Sequence, residues 1–320
     1  MSKQVAAIAI GRNEGERLTQ CLASLIATTA PVIYVDSGST DGSVEAAKAA
    51  GAEVVALDLS IPFTAARARN EGLNRLNSLD SDSAFVQFID GDCELRTGWI
   101  EAAMDAISVD PKIAVVCGRR RERFPDASRW NKMTDAEWNT PIGEAGACGG
   151  DALMRRAALD DVGGYRNDLI AGEEPEMCFR MRAKGWRIQR INAEMTWHDA
   201  ALTRMGQWWK RTKRAGHAYG EAADLHGGSP EKFRVAETRR ALLWGLAIPL
   251  VALVGFFVIT PWALLVMLAW PLQALRLSAR GLPLEHAWFM TFGKLPEALG
   301  VLSYHWGRLS GQRRKLIEYK

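Results

Sequence analysis

Short β-branched apolar runs alternate with helix-period patterns from the start of the chain to about Ile191, and this alternation leaves few folds open. Val5–Ile10 reads as a first strand. Leu18, Cys21, Leu22, Leu25 and Ile26 then recur at helical spacing before Val32–Val35 restarts as a strand ending at Asp36. Two such strands with a helix between them form a βαβ unit, whose parallel sheet must be covered on both faces. Ser37–Gly42 is turn chemistry opening another helix. Glu53–Leu57 follows as a third strand, Ala65–Leu76 as a third helix, and Phe85–Ile89 as a fourth strand running into Asp90. A further helix from about Glu174 to Lys184 precedes a strand at Trp186–Ile191. Ligands of open α/β sheets sit at the carboxyl ends of the strands, where Asp36 and Asp90 fall.

With 48% apolar and 24% charged residues among 320, the chain can bury a sizeable core, which excludes a disordered or collagen-like polymer. Forty basic against 37 acidic residues exclude nucleic-acid binding by bulk charge. The five cysteines, an odd count without a C-x-x-C pair, suit a reducing compartment and read as small buried apolar residues. The first apolar run is too short for a secretory signal. Charge is local: between Arg204 and Arg240 nine Lys/Arg face four acids. Leu242–Ile259 then carries no charge, and Pro261 separates it from the charge-free Trp262–Leu275. Against a spanning length of about 20 residues, the first run qualifies and the second is marginal. Flanking Arg239, Arg240, Arg276 and Arg280 suit a helical hairpin returning to the cytoplasmic side, with Trp244, Trp262 and Trp270 as interfacial residues; the alternative is a hydrophobic core or dimer interface. Ala287–Leu302 reads as a third, interfacial segment ahead of the basic Gln312–Lys315.

The residues suited to chemistry lie at the strand ends. Asp90-Gly91-Asp92 presents two carboxylates that can hold a hard divalent cation together with a diphosphate, or cap a helix near Thr97. Asp80-Ser81-Asp82 has the same spelling without a preceding strand. Asp36 and the Ser37–Gly42 turn can approach a nucleotide through the backbone or serve as a helix cap, and Arg12-Asn13-Glu14 after the first strand has the same standing. On their helix Arg67 and Asn70 are i, i+3 neighbours able to face one pocket. Glu173, Glu174 and Glu176 at a helix start offer a general base, or simply complement the helix dipole. His198 stands beside Asp199, followed by Gln207-Trp208-Trp209-Lys210-Arg211, which can stack a sugar or meet a membrane surface.

In this order, Arg12-Asn13-Glu14, Val35–Gly42, Ala68-Arg69-Asn70, Asp90-Gly91-Asp92, Gly149-Gly150-Asp151 and Gly172-Glu173-Glu174 ahead of Cys178-Phe179-Arg180 resemble the family 2 inverting glycosyltransferases. The resemblance covers about the first 215 residues and implies the GT-A fold, a Rossmann-like α/β sheet. The expected organisation is therefore a catalytic domain over 1–215, a basic amphipathic linker over 216–240, and a membrane-associated helical region over 241–320. The resemblance further implies a nucleotide-sugar donor, usually UDP-linked, bound by Arg12, Asn13, Glu14, Asp36, Arg67, Asn70 and Asp90. Mn²⁺ or Mg²⁺ is expected on Asp92 with His198, and Glu174 as the base with Glu173 as its rival. Aspartate is the commoner base in the family, and the order of Gln207–Arg211 differs from the signature of its processive members.

The expected function is transfer of a sugar to a hydroxyl of a lipid-linked or polysaccharide acceptor at the bacterial inner membrane, with the catalytic domain in the cytoplasm. Membrane lipids and other glycan-assembly enzymes are expected partners, and nucleic acid is not. A polyprenyl-phosphate glycosyltransferase and a non-catalytic nucleotide-sugar-binding protein are the competing readings. A nucleotidyltransferase would share the carboxylates, but no glycine- and lysine-rich phosphate loop follows the first strand.

Overall fold

The computed structural model describes residues 5–79 and 81–311. Asp80, the first acid of the second D-x-D triplet, and the basic Gln312–Lys315 lie outside them. The chain divides into two compact units, residues 1–203 and 204–320. The expected boundary at 215 falls inside a helix that begins at Met205, because the aromatic-basic run is helical rather than a terminus of the sheet domain.

In the first unit, strands β1 (Val5–Gly11), β2 (Val32–Asp36), β3 (Glu53–Ala56) and β4 (Phe85–Asp90) run parallel in the order β3-β2-β1-β4. Helices α1 (Glu16–Ile26), α2 (Ser43–Ala49) and α3 (Ala65–Ser78) connect them. Residues 5–10 of β1 are all buried, as a strand covered on both faces must be, and α1 lays Leu18, Cys21, Leu22 and Leu25 into the same core. Gly91 and Asp92 turn the chain into β5 (Cys93–Leu95), and α4 (Trp99–Ser108) leads to the long β6 (Ile113–Glu122).

After α5 (Arg129–Glu137) and β7 (Gly143–Glu144) come β8 (Ala152–Arg155), α6 (Arg156–Val162), α7 (Glu173–Ala183) and β9 (Arg187–His198). β8 inserts antiparallel between β4 and β6, so the sheet is mixed rather than parallel throughout. β6 pairs parallel with β9, on which β5 and β7 lie antiparallel. The final strand extends past Ile191 to His198 because Thr196, Trp197 and His198 pair with β5 and β6 at once.

Register decides what meets at the carboxyl edge. Gly11 lies opposite Asp36, Ile10 opposite Asp90, Ala152 opposite Phe88, and His198 opposite both Cys93 and Glu122. Seven segments of sequence thus deliver their polar ends to one line.

The second unit is helical: α8 (Met205–His226), α9 (Val235–Leu242), α10 (Ile248–Val258), α11 (Ala269–Ser278), α12 (Leu284–Phe292) and α13 (Lys294–Leu309). α8 and α13 approach so closely that a Cβ on Gly216 would lie 2.0 Å from the Glu297 carbonyl oxygen. A single wider turn over Leu243–Ala247 joins α9 to α10, so Val235–Val258 is one continuous helix of 24 residues, about 36 Å long at 1.5 Å per residue. Among the described residues it alone is long and apolar enough to cross a membrane, and only 22% of its apolar window is buried. The stretch expected as a basic linker supplies the end of α8 and most of α9. The second apolar run forms no comparable helix: a tight 3₁₀ stretch occupies Pro261–Leu268, and α11 begins two residues ahead of Pro271, whose ring disfavours an α-helix continuing from before it.

In the first unit β6 passes against Trp99 at Gly118, where an added Cβ would lie 2.5 Å from the indole, 2.7 Å from the Ala193 carbonyl oxygen and 2.7 Å from Met195 Cβ. Gly118→Ala is therefore expected to destabilise this unit by about 1–3 kcal/mol, read as a lower midpoint in chemical denaturation.

Candidate functional site

The loop after β1 and the loop after β2 are laced together. Asn13, at φ 56°, donates its backbone N–H to Ser39 Oγ (2.9 Å) and accepts from the Thr40 N–H (2.7 Å), while the Gly15 N–H donates to Asp41 (3.0 Å). Asp36 is buried; it accepts from the Tyr34 hydroxyl (3.0 Å) and from the N–H groups of Gly38 and Ser39 (2.9 Å each). Arg12 stacks over Phe63, and Glu14 pairs with Arg17 at 2.8 Å. Gly91 N–H donates to the Ile10 carbonyl (2.8 Å), which sets the Asp90–Asp92 turn beside this double loop.

Arg69 occupies the centre. Its guanidinium, whose side chain is 3% exposed, reaches Asp90 Oδ1 at 2.8 Å and Glu173 Oε1 at 2.7 Å. It also lies over the Tyr165 ring. Two carboxylates from distant parts of the chain are thereby held on one cation. On its other side Asp90 donates its backbone N–H to Asp151 Oδ1 (3.2 Å). Asp151 is fully buried, accepts from the Thr196 hydroxyl (2.8 Å) and pairs with Arg120 at 3.0 Å. Arg120 lies over the Trp138 ring, which packs on His198 with centroids 4.6 Å apart. His198 Nε2 is 3.2 Å from Asp92 Oδ2, closing the arc.

Asp92, Cys93 and His198 each present one donor atom within 4.8 Å of the others. The 3.2 Å separation of the Asp92 and His198 donors is near the roughly 3.0 Å between adjacent ligands of an octahedral ion bound at about 2.1 Å. His198 Nδ1 is buried without a hydrogen-bond partner. Burial, and after it the Arg120 guanidinium, hold the imidazole down at about 4, so the ring is neutral at pH 7 as a metal ligand must be. The donor set fits a divalent cation.

Three expected site residues have other tasks. Arg67 directs its buried guanidinium to the carbonyls of Asp58 (2.5 Å), Ile61 (2.7 Å) and Pro62 (3.3 Å), anchoring the 58–62 loop. Asn70 exchanges hydrogen bonds with the Tyr165 backbone (2.7 and 2.9 Å) and Asn167 (2.6 Å), and so fixes the segment before α7. On α3 it is Arg69 that reaches the carboxylates; Gly72 and Leu76, at i+3 and i+7 from it, pack into the sheet core, Gly72 against Ile8 and Val35. Glu174, expected as the base, is turned inward at 3% exposure; its Oε1 accepts from the Cys148 N–H (2.7 Å), Cys148 Sγ (2.9 Å) and Cys178 Sγ (2.8 Å). Glu173 is the acid beside Asp90. Sequence reasoning held Arg69 only within the Ala68-Arg69-Asn70 motif and passed over Arg120 and Trp138; strand alternation places Arg120 on one side of β6 with Gly118 and Glu122, whereas nothing in the sequence marks Trp138.

Residues 8–163 match the family described as Glycosyl transferase family 2. The chain carries a family 2 glycosyltransferase domain over this segment, just under half of its length. It is 26% identical over 217 residues to the glycosyltransferase AglE of Haloferax volcanii, covering 64% of this chain and 69% of AglE. It is 29% identical over 207 residues to the succinoglycan biosynthesis protein ExoU of Rhizobium meliloti, covering 59% and 60%. Across the curated relatives it matches, the alignment spans between 47% and 69% of their length. The mannosyltransferase PcManGT from Pyrobaculum calidifontis, solved with GDP-Man and Mn²⁺, superposes with a TM-score of 0.58 at 18% identity, covering 97% of this chain and 88% of that one. That likeness shows the fold, a GT-A sheet domain followed by a helical region.

His198 gives the site a pH signature. Its folded value near 4 lies below the ordinary 6.5, so the unfolded chain takes up the proton first and stability falls as pH drops from 6.5 towards 4. The ceiling is about 3 kcal/mol. Thermal unfolding of EDTA-treated protein across this window should show a slope that His198→Gln flattens.

Proposed function

We propose that this glycosyltransferase is an inverting, metal-assisted enzyme that moves a sugar from a nucleoside-diphosphate donor to a hydroxyl of a lipid-linked or polysaccharide acceptor. The observation that carries the reading is the Arg69 bridge, which sets Glu173 against Asp90 at the strand edge where Asp92 and His198 also meet. The family and the relatives that make glycans support it.

In this reading the double loop of Arg12, Asn13, Glu14 and Asp36 receives the nucleoside, its backbone fixed in advance by the bonds between Asn13, Ser39 and Thr40. Asp90 holds the donor sugar or ribose. Asp92 and His198 would hold Mn²⁺ or Mg²⁺, which when bound would neutralise charge on the departing diphosphate. Glu173 takes the proton of the acceptor hydroxyl as its oxygen bonds to the anomeric carbon, while the bond from that carbon to the diphosphate breaks on the opposite face. Arg69 orients Glu173, reaching its Oε1 at 2.7 Å. Asp151 and Arg120 fix the backbone of Asp90 from behind.

The test is nucleoside-diphosphate release by detergent-solubilised protein, with Mn²⁺ or EDTA, across UDP-, GDP- and dTDP-sugars and a polyprenyl-lipid extract. EDTA and Asp92→Ala should abolish release. Glu173→Gln should lower turnover by about 10²–10⁴-fold, the usual contribution of a general base, whereas Glu174→Gln stays within roughly tenfold. Loss on Glu174→Gln with Glu173→Gln unaffected would reverse the assignment. Tolerance of both would favour a phosphate acceptor, which needs no base.

The helical unit is proposed to rest on the cytoplasmic face of a bacterial inner membrane. Around the apolar bend between α10 and α11, Phe257, Val258, Ile259 and Trp262 are each at least 74% exposed. Arg239, Arg240, Arg276 and Arg280 lie at the other end of these segments, where each cation near an anionic surface is worth about 1 kcal/mol. Flotation of the full chain with vesicles containing anionic lipid should be strong, and Phe257→Glu with Ile259→Glu should move the protein to the soluble fraction.

A further inference from the structure

Behind the active-site edge stands a second group of ligating side chains that the transfer reaction does not use. Cys148 lies in the segment entering β8; Glu174 and Cys178 lie one turn apart on α7. The two sulfurs are 3.9 Å apart, and all three donor atoms fall within 4.8 Å of one another. Glu174 Oε1 accepts both thiols and a backbone N–H, all of them neutral donors. A carboxylate at 3% exposure, satisfied by neutral donors alone, is an unusual thing to bury, since an ionised group out of water calls for a compensating positive charge.

The spacing points to what would supply it. A tetrahedral ion bound at about 2.3 Å to two thiolates holds their sulfurs about 3.8 Å apart, close to the separation found here. Two sulfurs and one carboxylate oxygen suit zinc rather than the hard cations of the Asp92 and His198 site. Cys178 is fully buried and Cys148 partly exposed, so entry is from the Cys148 side, which also leaves the remaining coordination position to solvent.

We propose that Cys148, Glu174 and Cys178 form a binding site for a thiophilic divalent cation of the zinc class, separate from the hard-cation site. The cation enters as both thiols release their protons, so Zn²⁺ and two S–H groups become one zinc dithiolate and two protons. Its position gives it a structural task. The segment that carries Cys148 also presses Gly150 against the reacting edge, where an added Cβ would lie 2.8 Å from Asp90 Oδ2 and 2.9 Å from Arg69. Glu174 adjoins Glu173. The ion would tie these two walls of the pocket together.

The test uses the full-length protein in detergent with a non-coordinating reductant, stripped by chelator and loaded with Zn²⁺ in excess Mn²⁺. One zinc per chain should survive desalting, and Zn²⁺ should protect Cys148 from iodoacetamide in the wild-type chain, located by peptide mapping. Co²⁺ in place of Zn²⁺ should give a thiolate charge-transfer band that is lost in Cys148→Ser and retained in Cys93→Ser. Unprotected Cys148, or a band lost only in Cys93→Ser, would overturn the proposal. Neither readout involves turnover, so failure here is distinguishable from failure of the glycosyl-transfer reading.

Discussion

A guanidinium removed from water and held between two carboxylates organises this molecule. Arg69 reaches Asp90 on β4 and Glu173 at the start of α7, residues that come together only if the sheet, α3 and the segment before α7 are all in place. Such a triad, with Arg69 buried and both acids part-exposed, adds little stability because desolvation of the guanidinium offsets much of the attraction, yet removing the acids would leave its charge uncompensated. Its contribution is position. Asp90 is gripped from the other side by the chain of Asp151, Arg120, Trp138 and His198, so both carboxylates that flank the pocket have one geometry available.

Much of this was legible beforehand where a periodic signal existed. The strands ending at Asp36 and Asp90 announced themselves by β-branched runs on a two-sided buried sheet, and α1 by its i, i+3, i+4 stripe. The reversal of β8 was not legible: four residues, Ala152–Arg155, are too few to display a period, and nothing local encodes strand direction. That Arg69, rather than its helix neighbour Arg67, reaches the carboxylates is a matter of helix phase, which an i, i+3 spacing does not reveal. The order of Glu174 and Glu173 is a question of the same kind. Adjacent positions on α7 point about 100° apart, and which one faces the pocket depends on where Cys148 and Arg69 lie in space. Asp92 and His198, by contrast, sit at the entry to β5 and the end of β9, where register leaves less freedom.

The second unit shows what composition can and cannot convey. An uncharged run reports a helix in apolar surroundings, but whether that helix continues is decided by single residues such as Pro261 and Pro271. Two runs of similar hydropathy therefore become one long helix and one broken path.

The antiparallel placement of β8 has a consequence for how such a pocket can change. Because Asp151 immediately precedes a strand locked between β4 and β6, its offset from Asp90 is quantised by the ladder: a register slip moves it by a full residue and turns alternate side chains to the other face. The back wall therefore cannot widen by small degrees. Change in such a pocket falls to the segments between the strands rather than to the ladder itself.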